Sequence, residues 1–153
     1  MPQQRRETSF KTQQEIVQDI ETLAQGNVKT LGKHSFAEIV CHLALTNDMV
    51  TGKIVPPKLP WTVRVLMPLM RSKILNGPVK PGFKLPKNME PFFWANEKVE
   101  LAEAINRFKA SVDHLEAKGP LPVHPIFGKA TREQTENLLL SHAAMHLSHV
   151  VAD

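Results

Sequence analysis

Three of the seven histidines in this 153-residue chain stand close together near its end, in the stretch SHAAMHLSHVVAD. These are His142, His146 and His149, and their neighbours are small or apolar. On a helix turning about 100° per residue they fall within an arc of about 60°. Leucine, alanine, methionine and valine fill most of the remaining circumference, as expected of a central helix. A buried imidazole needs a hydrogen-bond partner or a metal to offset its desolvation. The i, i+4 pair His142 and His146 offers two nitrogens from one helix face to a single ion. A further candidate, His42, sits in the apolar context VCHLALTND on a different segment. Metal sites in helical bundles are assembled from inward-facing side chains of facing helices. Three neutral imidazoles, His42, His142 and His146, would leave one or more exchangeable positions on zinc, nickel or iron. The plainer alternative is a set of hydrogen-bonded core histidines, since an HxxxH pair by itself is only modest evidence for a metal.

Other chemistry-bearing residues carry less. His34 stands just ahead of a helix-capping serine and reads as a surface or staple residue. His114 lies near the apolar stripe of its helix without a spacing partner. His124, in VHPIFG, reads as a residue that orders the loop before the last helix. Glu38 and Thr46 lie one turn either side of His42 and are candidates to fix its tautomer, although Glu38 is also claimed by a capping box. Cys41 points about 100° away from His42 and reads as core filling. No Ser–His–Asp arrangement, glycine-rich phosphate loop or pair of isolated carboxylates competes for the chemistry.

Four helices must position these residues. The first opens at the capping box TQQE (Thr12 to Glu15) and ends at Gly26. The second opens at SFAE (Ser35 to Glu38) and runs to Gly52. The third runs from about Asn96 to Lys118, stopped by Gly119-Pro120. The fourth opens at TREQ (Thr131 to Gln134) and continues to the C-terminus. Hardly any segment alternates with the period of a strand. The expectation is an all-α fold, one domain over residues 1–153: a four-helix bundle with a long Pro-rich crossover connection between helices 2 and 3. Within that connection WTVRVLMPLMRSKILN reads as a short helix interrupted by Pro68 and ended by Gly77.

The net charge is +4, yet residues 51–88 hold eight lysines and arginines and no acid, leaving −4 on the rest of the chain. The basicity belongs to one segment. Trp61, Val65, Leu66, Leu69 and Met70 lie among these charges, suggesting a flap whose apolar side packs on the bundle while its cations face a site mouth. With no tyrosine, few aromatics and no regular register of cations, a nucleic-acid partner is not expected. The longest apolar run is too short to span a bilayer, so no membrane partner is expected either. One cysteine and a polar N-terminus make a cytoplasmic protein the expectation.

HLALTNDMV together with HAAMHLSHV resembles the DinB-like superfamily of metal-binding four-helix bundles, over essentially the whole chain. HPIFGKATREQTENLLLSHAAMHLSHV and the Trp-led, Pro-rich segment are similar to one branch of unknown function. The resemblance places the metal ligands on His42, His142 and His146. His149 stands where many relatives carry glutamine, as a neighbour supporting the site, and Thr135 stands where relatives of that branch often carry an aromatic. Characterised members of that superfamily include thiol-dependent transferases and an isomerase. The resemblance therefore implies a divalent-metal enzyme, a thiol S-transferase, acting on a small-molecule substrate with an anionic low-molecular-weight thiol. The alternative is a non-catalytic, metal-stabilised binding or stress-response module, with a homodimer left open. A fourth protein ligand, His149 above all, would mark a closed structural site.

Overall fold

The computed structural model describes residues 4–81, 86–94 and 98–153. Among them are six helices and four short strands, so the chain is mostly helical. Each capping motif organises a helix start. Helix α1 (Gln13–Ala24) is capped by Thr12, whose hydroxyl accepts from Glu15 N–H. Glu15 itself reaches back to Lys11 N–H rather than to the cap residue. Helices α2 (Phe36–Val50) and α6 (Arg132–Leu147) carry complete capping boxes, Ser35 with Glu38 and Thr131 with Gln134.

The connection between α2 and the next long helix has structure of its own. Helix α3 (Trp61–Asn76) contains Pro68 and stops at Gly77. A Cβ at Gly77 would meet the Lys73 carbonyl oxygen at 2.8 Å, so only glycine fits that close approach. A single turn, α4 (Glu90–Phe93), follows. Helix α5 (Leu101–Lys118) begins later than the sequence reading, which started it near Asn96. Asn96 lies outside the described residues, and Lys98 to Glu100 are not helical. No Ser, Thr, Asp or Asn stands at the cap position, and Glu100 makes no side-chain cap bond.

Strands add what periodicity did not show. Strand β1 (Val28–Thr30) pairs antiparallel with β4 (Val150–Ala152), Lys29 opposite Val151. Strands β2 (Val123–His124) and β3 (Gly128–Lys129) form a small hairpin ahead of α6. The last helix therefore ends at Leu147 instead of running to the C-terminus. Val150 and Val151 are β-branched and buried, and they gain a ladder with β1 that a helix end would leave unmade. Arg6 fixes this exit: its guanidinium bonds both Asp19 oxygens (3.1 and 2.8 Å), Val150 O (2.7 Å) and Leu147 O (3.1 Å).

Helices α2 and α5 form the most extensive packing pair, and α6 packs against α1, α2 and α3. The main core joins Ile16 and Ile20 of α1, Val40 and Leu43 of α2, Phe108 and Val112 of α5, and Leu147 of α6. A second cluster gathers Met49, Val50, Met89, Phe93, Leu115 and Leu139 around α4. Cys41 packs against the main core, as its position off the His42 face suggests. No helix among the described residues is long and apolar enough to cross a membrane.

The outer connection departs from the flap reading. Trp61, Val65, Leu66, Leu69 and Met70 do not pack on the bundle; they are all exposed. Met67 and Leu75, on the opposite side of α3, are the buried residues.

Candidate metal centre

Two crossing helices bring the three histidines together. His42 lies mid-way along α2, which is buried on several sides, and His142 and His146 lie one turn apart near the end of α6. One ring nitrogen from each lies within 4.8 Å of the others. His142 Nε2 stands 3.2 Å from His42 Nε2 and 3.0 Å from His146 Nε2.

The tautomers follow from the surroundings. His42 Nδ1 lies 3.1 Å from Phe93 O, an acceptor only, so it carries the proton and donates. That leaves His42 Nε2 bare, aimed at His142. A single proton on His142 Nε2 cannot serve both of its nitrogen neighbours well, and without it two lone pairs face each other. Adding a proton to form an imidazolium is opposed by burial. Burial pushes His42 down to about 4 and His146 to about 3, with the neighbouring imidazoles adding to the fall at His146. It holds His142 well below its ordinary 6.5, aided by His146 and His42. At neutral pH the cluster is thus three uncharged rings whose Nε2 atoms converge.

A metal ion bound between the rings would resolve this arrangement. Imidazole nitrogens at about 2.0–2.1 Å from one ion, subtending about 90–109°, stand about 2.9–3.4 Å apart. Two of the three nitrogen pairs, at 3.2 and 3.0 Å, fall within that span, and all three atoms lie within 4.8 Å of one another. The donor set, three neutral rings with one tautomer locked by a carbonyl, could hold a metal ion.

An aromatic stack walls the site. Trp94 lies flat on His42, centroids 3.9 Å apart and planes 7° from parallel. His34 lies on the other face of the same indole at 3.7 Å and 8°. Phe93 meets His42 edge-on, and Trp94 meets His146 edge-on. His34 is therefore a stacking partner, not a ligand; burial lowers its pKa, partly countered by Glu38 4.0 Å away.

The other candidates fall away from the cluster. His149 is in the turn after α6, off the helical arc assigned to it from spacing, and its Nδ1–H donates to Met145 O at 3.0 Å. Its own carbonyl accepts from Leu31 N–H at 2.9 Å, tying it to the β1 side. His114 lies on α5, outside the cluster. His124 orders its loop, as expected: Nδ1 accepts from both Ile126 and Phe127 N–H at 3.1 Å. Neither Glu38 nor Thr46 orients His42; Glu38 serves the capping box and Thr46 donates to Leu43 O. That work falls to the Phe93 carbonyl and the Trp94 ring. Sequence reasoning missed both, although the aromatic run PFFW just ahead of α5 was a visible signal.

No curated protein and no solved structure matches the chain. Its sequence does match, across residues 2–153, a family described only as a protein of unknown function. Since that match covers nearly the whole chain, the protein with this three-histidine cluster belongs to the DUF1569 family.

Proposed function

We propose that the protein is a divalent-metal enzyme of the thiol-dependent transferase type, with His42, His142 and His146 as the protein ligands. The observation that carries this reading is the composition of the cluster: among the described residues it holds three histidines and no fourth ligand. His149, the residue best placed to close it, is turned to Met145 O. Three ligands leave room for a substrate, which is the arrangement of a catalytic rather than a structural site. The likeness of HLALTNDMV and HAAMHLSHV to DinB-like proteins supports the same reading.

Each residue has a definable part. Burial keeps the three rings neutral, so their lone pairs are available at pH 7. The Phe93 carbonyl holds His42 in the tautomer that presents Nε2. The Trp94 stack fixes the ring plane and keeps water from that face. A bound divalent metal would supply Lewis acidity and favour the thiolate form of a thiol. Helix α3 packs against α6 and carries Arg64, Arg71 and Lys73 without an acid, so it adds positive potential beside the helix that carries His142 and His146. That suits a carboxylate-bearing, low-molecular-weight thiol.

Titration of the metal-loaded protein with several cellular thiols, at low and high salt, tests the proposal. At least one anionic thiol should bind, more weakly as salt rises, because exposed charges are screened beyond about 8–10 Å at physiological ionic strength. Absence of thiol binding under every condition retires the transferase reading. It would leave a metal-stabilised binding module, the reading favoured by the near-complete burial of His42 beneath Trp94.

A further inference from the structure

Six of the eight large apolar side chains that stand exposed among the described residues fall between Val55 and Met70. Trp61, Val65 and Leu69 are 75%, 65% and 81% exposed. Spaced i, i+4 and i+8 on α3, they form one ridge about 12 Å long, at about 1.5 Å of rise per residue. Leu66 and Met70 widen it on one side. The opposite side of α3 carries the buried Met67 and Leu75, and the helix packs against α6. The apolar ridge is thus presented outward by a helix anchored from behind. Soluble monomers rarely leave so continuous an apolar face uncovered.

Charge identifies what covers it. Lys58, Arg64 and Lys73 are exposed in the same segment, Lys73 at a helical angle between those of Leu69 and Leu66, and residues 51–88 contain no acid at all. The remainder of the chain carries a net −4, so the positive charge is concentrated in the segment that contains α3. We propose that the outer face of α3 is a docking surface for a bilayer with anionic headgroups, on which the helix lies without crossing. Apolar side chains beside lysines and arginines, with a tryptophan at the rim, are the composition of an interfacial helix. Anionic lipid attracts the cations of this segment. A second copy fits poorly, because a two-fold contact through α3 would bring two acid-free, basic segments together. An acidic protein would need a shaped complement, and the face is a convex ridge.

The test uses the full chain and vesicles of phosphatidylcholine alone, or with about one-third phosphatidylglycerol. Wild type should sediment with the anionic vesicles and not with the neutral ones, and about tenfold less in about 0.5 M salt, where screening is within a few Å. Trp61 emission should shift to the blue on binding, and Trp61→Phe should lose that shift. The double variant Val65→Glu/Leu69→Glu, with unchanged circular dichroism and metal content, should bind at least about tenfold more weakly. The proposal is overturned if wild type ignores anionic vesicles, or if the double variant binds as wild type does. It is equally overturned if wild type is a dimer that the double variant converts to monomer, which would assign the face to a second copy. Binding to a poly-glutamate peptide but not to vesicles would assign it to an acidic protein instead. None of these outcomes bears on the thiol titration, so the two proposals stand or fall separately.

Discussion

His142 occupies the centre of the cluster, its Nε2 close to the Nε2 of both neighbours, while His42 is the ring whose orientation is locked from outside by Phe93 O and Trp94. If His42, His142 and His146 are the three ligands, alanine at any one of them should lower metal affinity by several orders of magnitude. Alanine at 149 should cost much less, at most the about 10–100-fold typical of a residue that supports ligands without binding. Isothermal titration of the four variants with zinc or nickel ranks them. If His149→Ala proves as damaging as the rest, the site has four protein ligands and is closed. The HxxxH pair was legible because helical spacing projects i and i+4 onto one face, and His42 because it stands in an apolar stretch and matches the DinB-like pattern. The Trp94 stack was not, because nothing in local periodicity says that residue 94 will fold back onto residue 42.

At the level of elements, two contacts decide how α6 is held. Arg6 joins Asp19 of α1 to the carbonyls of Leu147 and Val150, where α6 gives way to β4. Arg6→Ala leaves two carbonyls and a carboxylate short of a charged donor, and should cost about 2–3 kcal/mol in urea unfolding. A change within about 0.5 kcal/mol would mean water replaces it fully. At the other end, His124 holds the loop leading into α6, and burial pushes its pKa down to about 4 from 6.5. The unfolded chain then binds the extra proton first. Stability from this group is complete above pH 6.5 and is lost as pH falls toward 4. At about 1.36 kcal/mol per unit the loss is about 3 kcal/mol. His124→Asn keeps an acceptor for the two N–H groups without titrating, so its stability should fall less over that window than wild type in the same metal state. Parallel curves would contradict this role. The helix starts were readable from Thr12, Ser35 and Thr131, since capping is local chemistry. The β1–β4 ladder was not, because it joins three-residue strands about 120 residues apart, with no turn between them to announce the pairing.

Across the whole molecule the charge separation was plain from composition, but the direction in which the basic segment points its apolar residues was not. An amphipathic helix reads the same whether its greasy stripe faces a core or the outside, and here Met67 and Leu75 make the inward contacts while Trp61, Val65 and Leu69 do not. What unites the fold is the trio of neutral rings that α2 and α6 close upon. If that trio is a metal centre, binding should stabilise the native state by about 2.7 kcal/mol at a free metal level 100 times Kd, and a chelator should lower Tm accordingly. The most direct measurement is elemental analysis of untagged protein purified without chelator, followed by equilibrium dialysis against zinc, nickel and iron(II), alongside His142→Ala. Wild type should carry about one divalent metal per chain and the variant none. Wild type that carries no metal and takes up none of the three would contradict this.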